Sequence, residues 1–545
     1  MPSAVPSPLP SGLTPWPPGP AARYREQGIW DGRTLGALLT EWADAYGENT
    51  ALVAGEDRLT YRDLDRRADR MAAALAGLGI RPGDRVLVQL PNTGAFVILF
   101  FALVRLGAVP VLTLPAHRIT EIGHLARLSG AVAYVIPDVL KSDGFDYREL
   151  ARAVLEQAPT VRHVLVDGDP GPYLALAGLD AEPRELPEPD ATDVAILLVS
   201  GGTTGVPKLI PRTHQDYGYN ARASAEVCGL DAGSAYLACL PVAHNFALAC
   251  PGVLGTLSVG GKAVLAPSPA PHDAFPLIEA EKITITALVP PLIPLWLESA
   301  EWDPADLSSL CVLQAGGSKL PEEVARRIPD GLGCAVQQVF GMAEGLLNYT
   351  RLDDDPEIVA VSQGRPLCPE DEIRVVDGDG LPVAAGQVGE LLTRGPYTLR
   401  GYYRAPEHNA TAFTADGYYI SGDLVRQLPS GHLVVEGRVK DTIDRGGESV
   451  SAEEIENHLL THPSIRRAAA VGLPDTGHGE QLCAVVVPAS TPPELRELRL
   501  FLMERGLAAF KLPDRLEVVE HFPLTPVGKV DKRALVQLIG QRSPA

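Results

Sequence analysis

At 545 residues the chain is too long for one hydrophobic core, so several lobes are expected. Its 46% apolar and 21% charged residues are the fractions of a soluble globular enzyme. A formal net charge of −21 argues against a general binder of nucleic acid or anionic membrane, because both select basic faces, and any anionic ligand must be met by local groups.

In chain order, residues 1–29 are rich in Pro and small residues, with neither a basic start nor an apolar core, and read as a disordered leader instead of a signal peptide. The pattern from Tyr61 to Leu78 is that of an amphipathic helix, followed by a strand near Val86 to Leu90. The most apolar run, "AFVILFFALV" at 95–104, is followed too soon by Arg105, Gly107 and Pro110 for a membrane span and reads as a buried core helix. Short apolar strands ending in Gly or Pro recur to about residue 360, in "VAILLVS", "GGKAVLAP", "ITALVPP" and "SLCVLQAGG". Open α/β sheets place ligands at such strand ends. From about 370 to 435 the texture turns β-rich, with a hairpin expected through Asp377–Gly380. A small α+β domain is expected from Lys440 to the end. Seven cysteines without a C-x-x-C pair suggest neither a disulfide framework nor a zinc site, which fits a reducing cytoplasm.

Several short stretches carry candidate chemistry. "SGGTTGVPK", Ser200 to Lys208, follows a strand and offers glycines, hydroxyls and one Lys to an anion. It is not a Walker loop: Val206 and Pro207 separate the last Gly from Lys208, and Pro207 would sit badly in the helix that such a loop opens into. "GMAEG" sets Glu344 just past a strand, where a carboxylate could hold Mg²⁺ on a nucleotide. "SGDLV" places Asp423 fifteen residues before Arg438, a pair able to take the hydroxyls of a ribose. "PVGKVDK" puts Lys529 on a loop bounded by Pro and Gly near the terminus. Each stretch alone is compatible with an ordinary turn, helix start or tail.

In this order and at this spacing these four stretches, with "GRVKD" around Arg438 as a fifth, resemble the adenylate-forming superfamily of acyl-CoA synthetases, peptide-synthetase adenylation domains and luciferases, over residues 30–540. The resemblance implies an α/β fold: a large N-terminal domain, 30–439, of two α/β subdomains plus a distorted β-barrel, and a small mobile α+β lid, 440–545, hinged at Lys440 and Asp441. It implies a two-step reaction in which a carboxylate attacks the α-phosphate of Mg·ATP and a thiol then displaces AMP from the acyl adenylate. Ser200, Gly201, Gly202, Thr203, Thr204, Gly205 and Lys208 would cradle the departing phosphates. Gly316, Gly317 and Ser318 would flank the adenine, Asp423 and Arg438 would hold the ribose, and Glu344 would bind Mg²⁺. Lys529 would bridge the substrate carboxylate and the α-phosphate, and Gly446 and Gly447 would line the entry for a pantetheine thiol.

For the acid itself, "HNFALAC" is informative. Amino-acid-activating members carry an Asp at the position of Asn245, and a neutral residue there would leave a buried ammonium unpaired. The stretch is closest to aryl-acid adenylating enzymes of siderophore and related nonribosomal pathways, in which the Asn meets a hydroxyl ortho to the carboxylate and His244 borders the ring. Phe246, Cys250, Gly341 and Leu347 would complete that pocket. Members taking 2,3-dihydroxybenzoate tend to carry Ser and Val where this chain has Cys250 and Leu347, and salicylate members tend to carry Cys and Leu. The reading is therefore salicylate or a close 2-hydroxyaryl acid, with 2,3-dihydroxybenzoate and 3-hydroxypicolinate as alternatives. The acceptor implied is an aryl carrier protein supplied in trans, because no helical carrier domain follows Lys532, and an aryl-CoA ligase is the rival. A nucleotide-binding protein that has lost the chemistry is disfavoured by the presence of Lys529 and Glu344.

Overall fold

The computed structural model describes residues 12–140, 144–200, 207–445, 448–475, 479–505, 507, 511–525 and 528–542. The chain divides into two compact units. The first runs to Ala360 and adds Gly364–Glu372 and Arg394–Tyr419; the second takes Val361–Gln363, Ile373–Thr393 and the chain from Ile420 onward.

Among the described residues, the first unit is built on two large, mainly parallel sheets. One has nine strands, with Ala335–Gly341, Val312–Gly316, Ile285–Leu288, Ala235–Ala238 and Lys262–Leu265 side by side at its centre. The other has seven and begins at its edge with Leu209–Thr213 against Val194–Val199. Helices cover these sheets because they are apolar enough to be buried. Gly94–Leu106 holds the run read as a core helix, and its residues from Phe96 to Val104 are all buried. Each large side chain so buried contributes about 1.5–3 kcal/mol. Thr93 caps its start by accepting from the Phe96 amide. No helix among the described residues is long and apolar enough to cross a membrane. The amphipathic helix expected from Tyr61 is present as Tyr61–Gly77, opened by a capping box between Thr60 and Asp63.

The second unit carries most of a four-stranded sheet, Glu372–Val376, Val388–Arg394, Tyr419–Gln427 and Leu433–Arg438. The hairpin expected at Asp377–Gly380 is present, closed by the Asp377 amide on the Leu381 carbonyl at 2.9 Å and a Val376–Pro382 bridge. A five-stranded sheet follows, centred on the long pairing of Ile465–Asp475 with Gly479–Pro488. Helices Ala452–Leu460 and Leu495–Glu504 share one buried apolar cluster with this sheet.

Two expectations are corrected. Residues 12–29 are not a disordered stretch: Pro18–Glu26 is a helix with Pro at its first position, and Trp16, Tyr24 and Trp30 pack edge to face, with Trp16 and Trp30 centroids 4.9 Å apart. Three aromatics supply the apolar area that a Pro-rich composition hides, and the Trp30 indole donates to the Pro396 carbonyl at 3.0 Å. Residues 1–11 lie outside the described residues. The division between units also falls earlier than 439/440. Gln363 ties the four-stranded sheet into the second unit, its amide donating to the Leu433 carbonyl and its side-chain oxygen accepting from the Val435 amide, both at 2.8 Å. The described pairings of this sheet run as a row of four strands.

Candidate active site

The loop after Val194–Val199 returns as a strand and not as a helix, as Pro207 requires. Its two ends are clasped: the Ser200 amide donates to the Lys208 carbonyl at 2.9 Å, and the Lys208 amide donates to Ser200 Oγ at 3.0 Å. Ser200 is thus a closing residue for the loop. Gly201, Gly202, Thr203, Thr204 and Gly205 lie outside the described residues. Lys208 directs its ammonium over the Tyr402 ring, 5.7 Å from the centroid.

Glu344 stands in a tight turn. The Met342 amide reaches the Leu346 carbonyl, the Gly345 amide reaches the Met342 carbonyl at 3.0 Å, and the Leu399 amide clamps the Glu344 carbonyl at 2.7 Å. The Tyr402 hydroxyl donates to Glu344 Oε1 at 2.8 Å and lies 2.9 Å from the Tyr419 hydroxyl. Tyr402, 4% exposed, therefore meets both Lys208 and Glu344. It was not singled out in the sequence. One carboxylate beside an ammonium suits an Mg²⁺ that arrives with phosphate oxygens. It does not suit a resident metal, and no group of three His, Cys, Asp or Glu able to hold one occurs among the described residues.

The apolar strand Val312–Gly316 ends at the expected glycines. A side chain at Gly316 would collide with the Phe246 ring at 2.8 Å and the Val339 carbonyl at 2.9 Å, so Phe246 packs directly on this backbone. Gly317 has φ +90°, which a β-carbon would strain, and Ser318 is exposed beside it.

His244 caps the short helix Asn245–Ala249, its Nδ1 accepting from the Phe246 amide at 3.2 Å. Asn245 is 5% exposed; its Oδ1 accepts from the Tyr217 hydroxyl at 2.9 Å, which leaves its amide nitrogen as the group to meet an acceptor and places it 3.4 Å from Cys250 Sγ. Burial pushes the Cys250 thiol up to about 12, so it is a neutral thiol. Gly341 pairs with Leu347 across two antiparallel strands, and a β-carbon on Gly341 would meet Leu347 Cδ2 at 2.3 Å. Leu347 thereby occupies the space that a side chain at Gly341 would take. Helix His214–Val227 supplies further residues the sequence reading missed: Tyr217 and Asn220, whose amide donates to the Ala249 carbonyl at 2.6 Å. Nothing in the sequence marks them, because polar residues on a helix read as exposed until their partners are known.

In the second unit, Asp423 and Arg438 are cross-strand partners on the hairpin Tyr419–Gln427 and Leu433–Arg438, with Arg438 Nε 2.8 Å from Asp423 Oδ1. Burial holds the Asp423 pKa above its ordinary value, and Arg438, Lys529 and Lys440 offset only part of the rise. The structure thus brings three expected cations within electrostatic reach of one buried carboxylate. Lys440 and Asp441 form a short 3₁₀ turn directly after Arg438. Lys529 is held by its backbone: its amide donates to Thr525 Oγ1 at 3.1 Å and its carbonyl accepts from the Thr525 amide at 2.7 Å. Gly446 and Gly447 lie outside the described residues.

The AMP-binding enzyme family matches residues 39–403, and the AMP-binding enzyme C-terminal domain matches residues 454–529. The chain is 54% identical to the 2,3-dihydroxybenzoate-AMP ligase of Bacillus subtilis, over 97% of this chain and 98% of that one. It is 53% identical to the salicyl-AMP ligase / salicyl-S-ArCP synthetase of Mycobacterium tuberculosis, over 97% and 95%. The apo structure of MbtA from Mycobacterium smegmatis superposes with a TM-score of 0.76 at 51% identity, covering 97% of this chain and 99% of that one. The chain belongs to the AMP-binding, adenylate-forming enzyme family, in its aryl-acid adenylating branch.

Proposed function

We propose that the protein activates salicylate, or a close 2-hydroxyaryl acid, with ATP and passes the acyl group to the pantetheine thiol of an aryl carrier protein, in siderophore or related nonribosomal peptide synthesis. In the first step a carboxylate oxygen bonds to the α-phosphorus and pyrophosphate leaves. In the second the thiol sulfur bonds to the acyl carbon and AMP leaves. The chain supplies no nucleophile, so its work is positioning and electrostatic stabilisation. Lys208 and the loop before it neutralise the departing phosphates, Asp423 and Arg438 hold the ribose, and Gly316 to Ser318 give the adenine a flat edge. Mg²⁺, when bound, offsets phosphate charge, and Glu344 is its protein ligand. Lys529 meets the charge that develops between the carboxylate and the α-phosphate.

The two relatives named above differ in their acid, so overall similarity does not choose between them. The observation that carries the choice is Cys250 beside Asn245 in a buried wall, with Leu347 over Gly341. Asn245 offers an amide N–H to an ortho hydroxyl, whereas a neutral thiol is a weak partner for a second hydroxyl and packs as a small hydrophobe. An apolar wall rejects an added hydroxyl only by about a hundredfold, so 2,3-dihydroxybenzoate is expected as a poor substrate. The test is kcat/KM for both acids, by acid-dependent exchange of pyrophosphate into ATP, in the wild type and in Cys250→Ser with Leu347→Val. The ratio should move toward 2,3-dihydroxybenzoate in the double variant. A wild type that already prefers that acid, or a ratio that stays put, overturns the assignment. Comparing thioester yield on free CoA and on pantetheinylated carrier protein separates the aryl-CoA ligase reading.

A further inference from the structure

We infer that Arg212 is a positioning residue that ties the aryl-acid pocket to the turn carrying Glu344, so that one buried guanidinium sets both halves of the first-step site. The inference rests on the reading of that site given above. The Arg212 side chain is 1% exposed, and its Nε donates to Asp216 Oδ1 at 2.7 Å. Asp216 already serves the start of helix His214–Val227, its Oδ2 accepting from the Thr213 amide and hydroxyl at 2.7 and 2.6 Å. Charge balance is complete with that pair. The guanidinium nevertheless extends two more arms. Nη1 donates at 3.2 Å to the carbonyl of Ala343, the residue before Glu344. Nη2 donates at 3.3 Å to Asn220 Oδ1, and the Asn220 amide in turn donates to the Ala249 carbonyl at 2.6 Å and lies 3.8 Å from Cys250 Sγ. The guanidinium also sits over the Tyr217 ring, 5.0 Å from its centroid, and the Tyr217 hydroxyl fixes Asn245.

A planar fork with five donors in fixed directions transmits geometry that an ammonium cannot. If the fork tilts, the Glu344 turn and the Asn245–Cys250 wall shift together, and misplacement by about 1 Å can cost on the order of a hundredfold in rate. A residue that served only stability would leave the two substrates' kinetic constants unlinked.

The experiment compares Arg212→Lys with Asn220→Ala in pyrophosphate exchange, titrating acid, Mg·ATP and free Mg²⁺ separately, with salicylate or whichever acid the wild type prefers. Arg212→Lys keeps a charge for Asp216 and loses the fork. It should raise the KM for acid and for Mg·ATP together, each by about tenfold, and shift the Mg²⁺ dependence upward. Asn220→Ala removes the pocket branch alone and should raise the acid KM while leaving Mg·ATP and Mg²⁺ unmoved. If Arg212→Lys does not fold, Arg212→Gln with Asp216→Asn removes both buried charges and should show the same joint rise. An Arg212 variant that folds and changes only one of the two KM values, or neither, overturns the inference. A wild type that prefers another acid changes the proposed substrate and leaves the coupling test intact.

Discussion

Tyr402 shows how a single hydroxyl can hold the carboxylate proposed to meet Mg²⁺. Its O–H holds Glu344 Oε1 at 2.8 Å while its ring faces the Lys208 ammonium and packs at a tilt on His408, centroids 4.9 Å apart. Tyr402→Phe keeps the ring contacts and deletes the hydrogen bond. A hydrogen bond to a charged group contributes about 1.5–3 kcal/mol, so kcat/KM for Mg·ATP should fall by roughly tenfold or more. The Mg²⁺ concentration needed for half-maximal rate should rise, while the KM for the acid stays unchanged. An unaltered Mg²⁺ dependence would falsify the role given to Tyr402. Lys208 and Glu344 were legible in the sequence because glycines and small residues frame them at strand ends. Tyr402 was not, because its meaning lies in meeting residues 58 and about 190 positions away, a proximity that only the fold creates.

Among the elements, helix His214–Val227 does the most to connect fold and site. Thr213 and Asp216 form the capping box at its start, and further along Tyr217 and Asn220 bond to Asn245 and Ala249 in the proposed acid pocket. Its periodicity gave no hint of this, since buried polar residues on a helix read as exposed ones until their partners are known. The leader differs for the opposite reason: Pro and small residues dominate its composition while Trp16, Tyr24 and Trp30 carry the packing. The helix also confers acid sensitivity. His214 is 1% exposed, its Nδ1 accepts from the Leu35 amide at 3.1 Å, and burial lowers its pKa to about 4. The unfolded chain takes up a proton near pH 6.5 that the folded chain refuses until about pH 4. The stability due to neutral His214 is therefore complete above pH 6.5 and is lost as the pH falls toward 4, by about 3 kcal/mol in all. His117, also lowered to about 4 by burial, acts in the same direction. His214→Asn keeps an acceptor for Leu35 and cannot titrate. Its Tm should fall less than that of the wild type between pH 6.5 and 4.5, with no such difference in slope between pH 7 and 8. Parallel Tm curves over the acid range would remove His214 from the account.

At the scale of the whole molecule, a chain with net charge −21 carries its candidate anion-binding cations in both compact units. Lys208 and Arg212 belong to the first; Arg438, Lys440 and Lys529 belong to the second and all bear on Asp423. The order of motifs made this division of labour legible, because each motif is local. The unit boundary was not legible, since it depends on Gln363 bonding to Leu433 and Val435, some 70 residues away. The division has a kinetic consequence under the proposed two-step reaction. Negative charge develops between carboxylate and α-phosphate only while pyrophosphate is leaving, so a Lys that meets it stabilises the first transition state and not the second. Attack of the thiol on the acyl carbon needs the adenylate already made, and Asp423 and Arg438 can hold its ribose without Lys529. Lys529→Ala should therefore lower acid-dependent pyrophosphate exchange by on the order of a hundredfold or more, with thioester formation from preformed acyl adenylate within a few-fold of the wild type. Asp423→Asn removes the carboxylate that bears on the ribose and should impair both half-reactions, which makes it the internal control. The measurement is single-turnover transfer from synthetic salicyl adenylate to pantetheinylated carrier protein, set beside exchange with the same enzyme preparations. Equal losses in both half-reactions for Lys529→Ala would show that this Lys supports binding of the nucleotide throughout, and its assignment to the first transition state would fall.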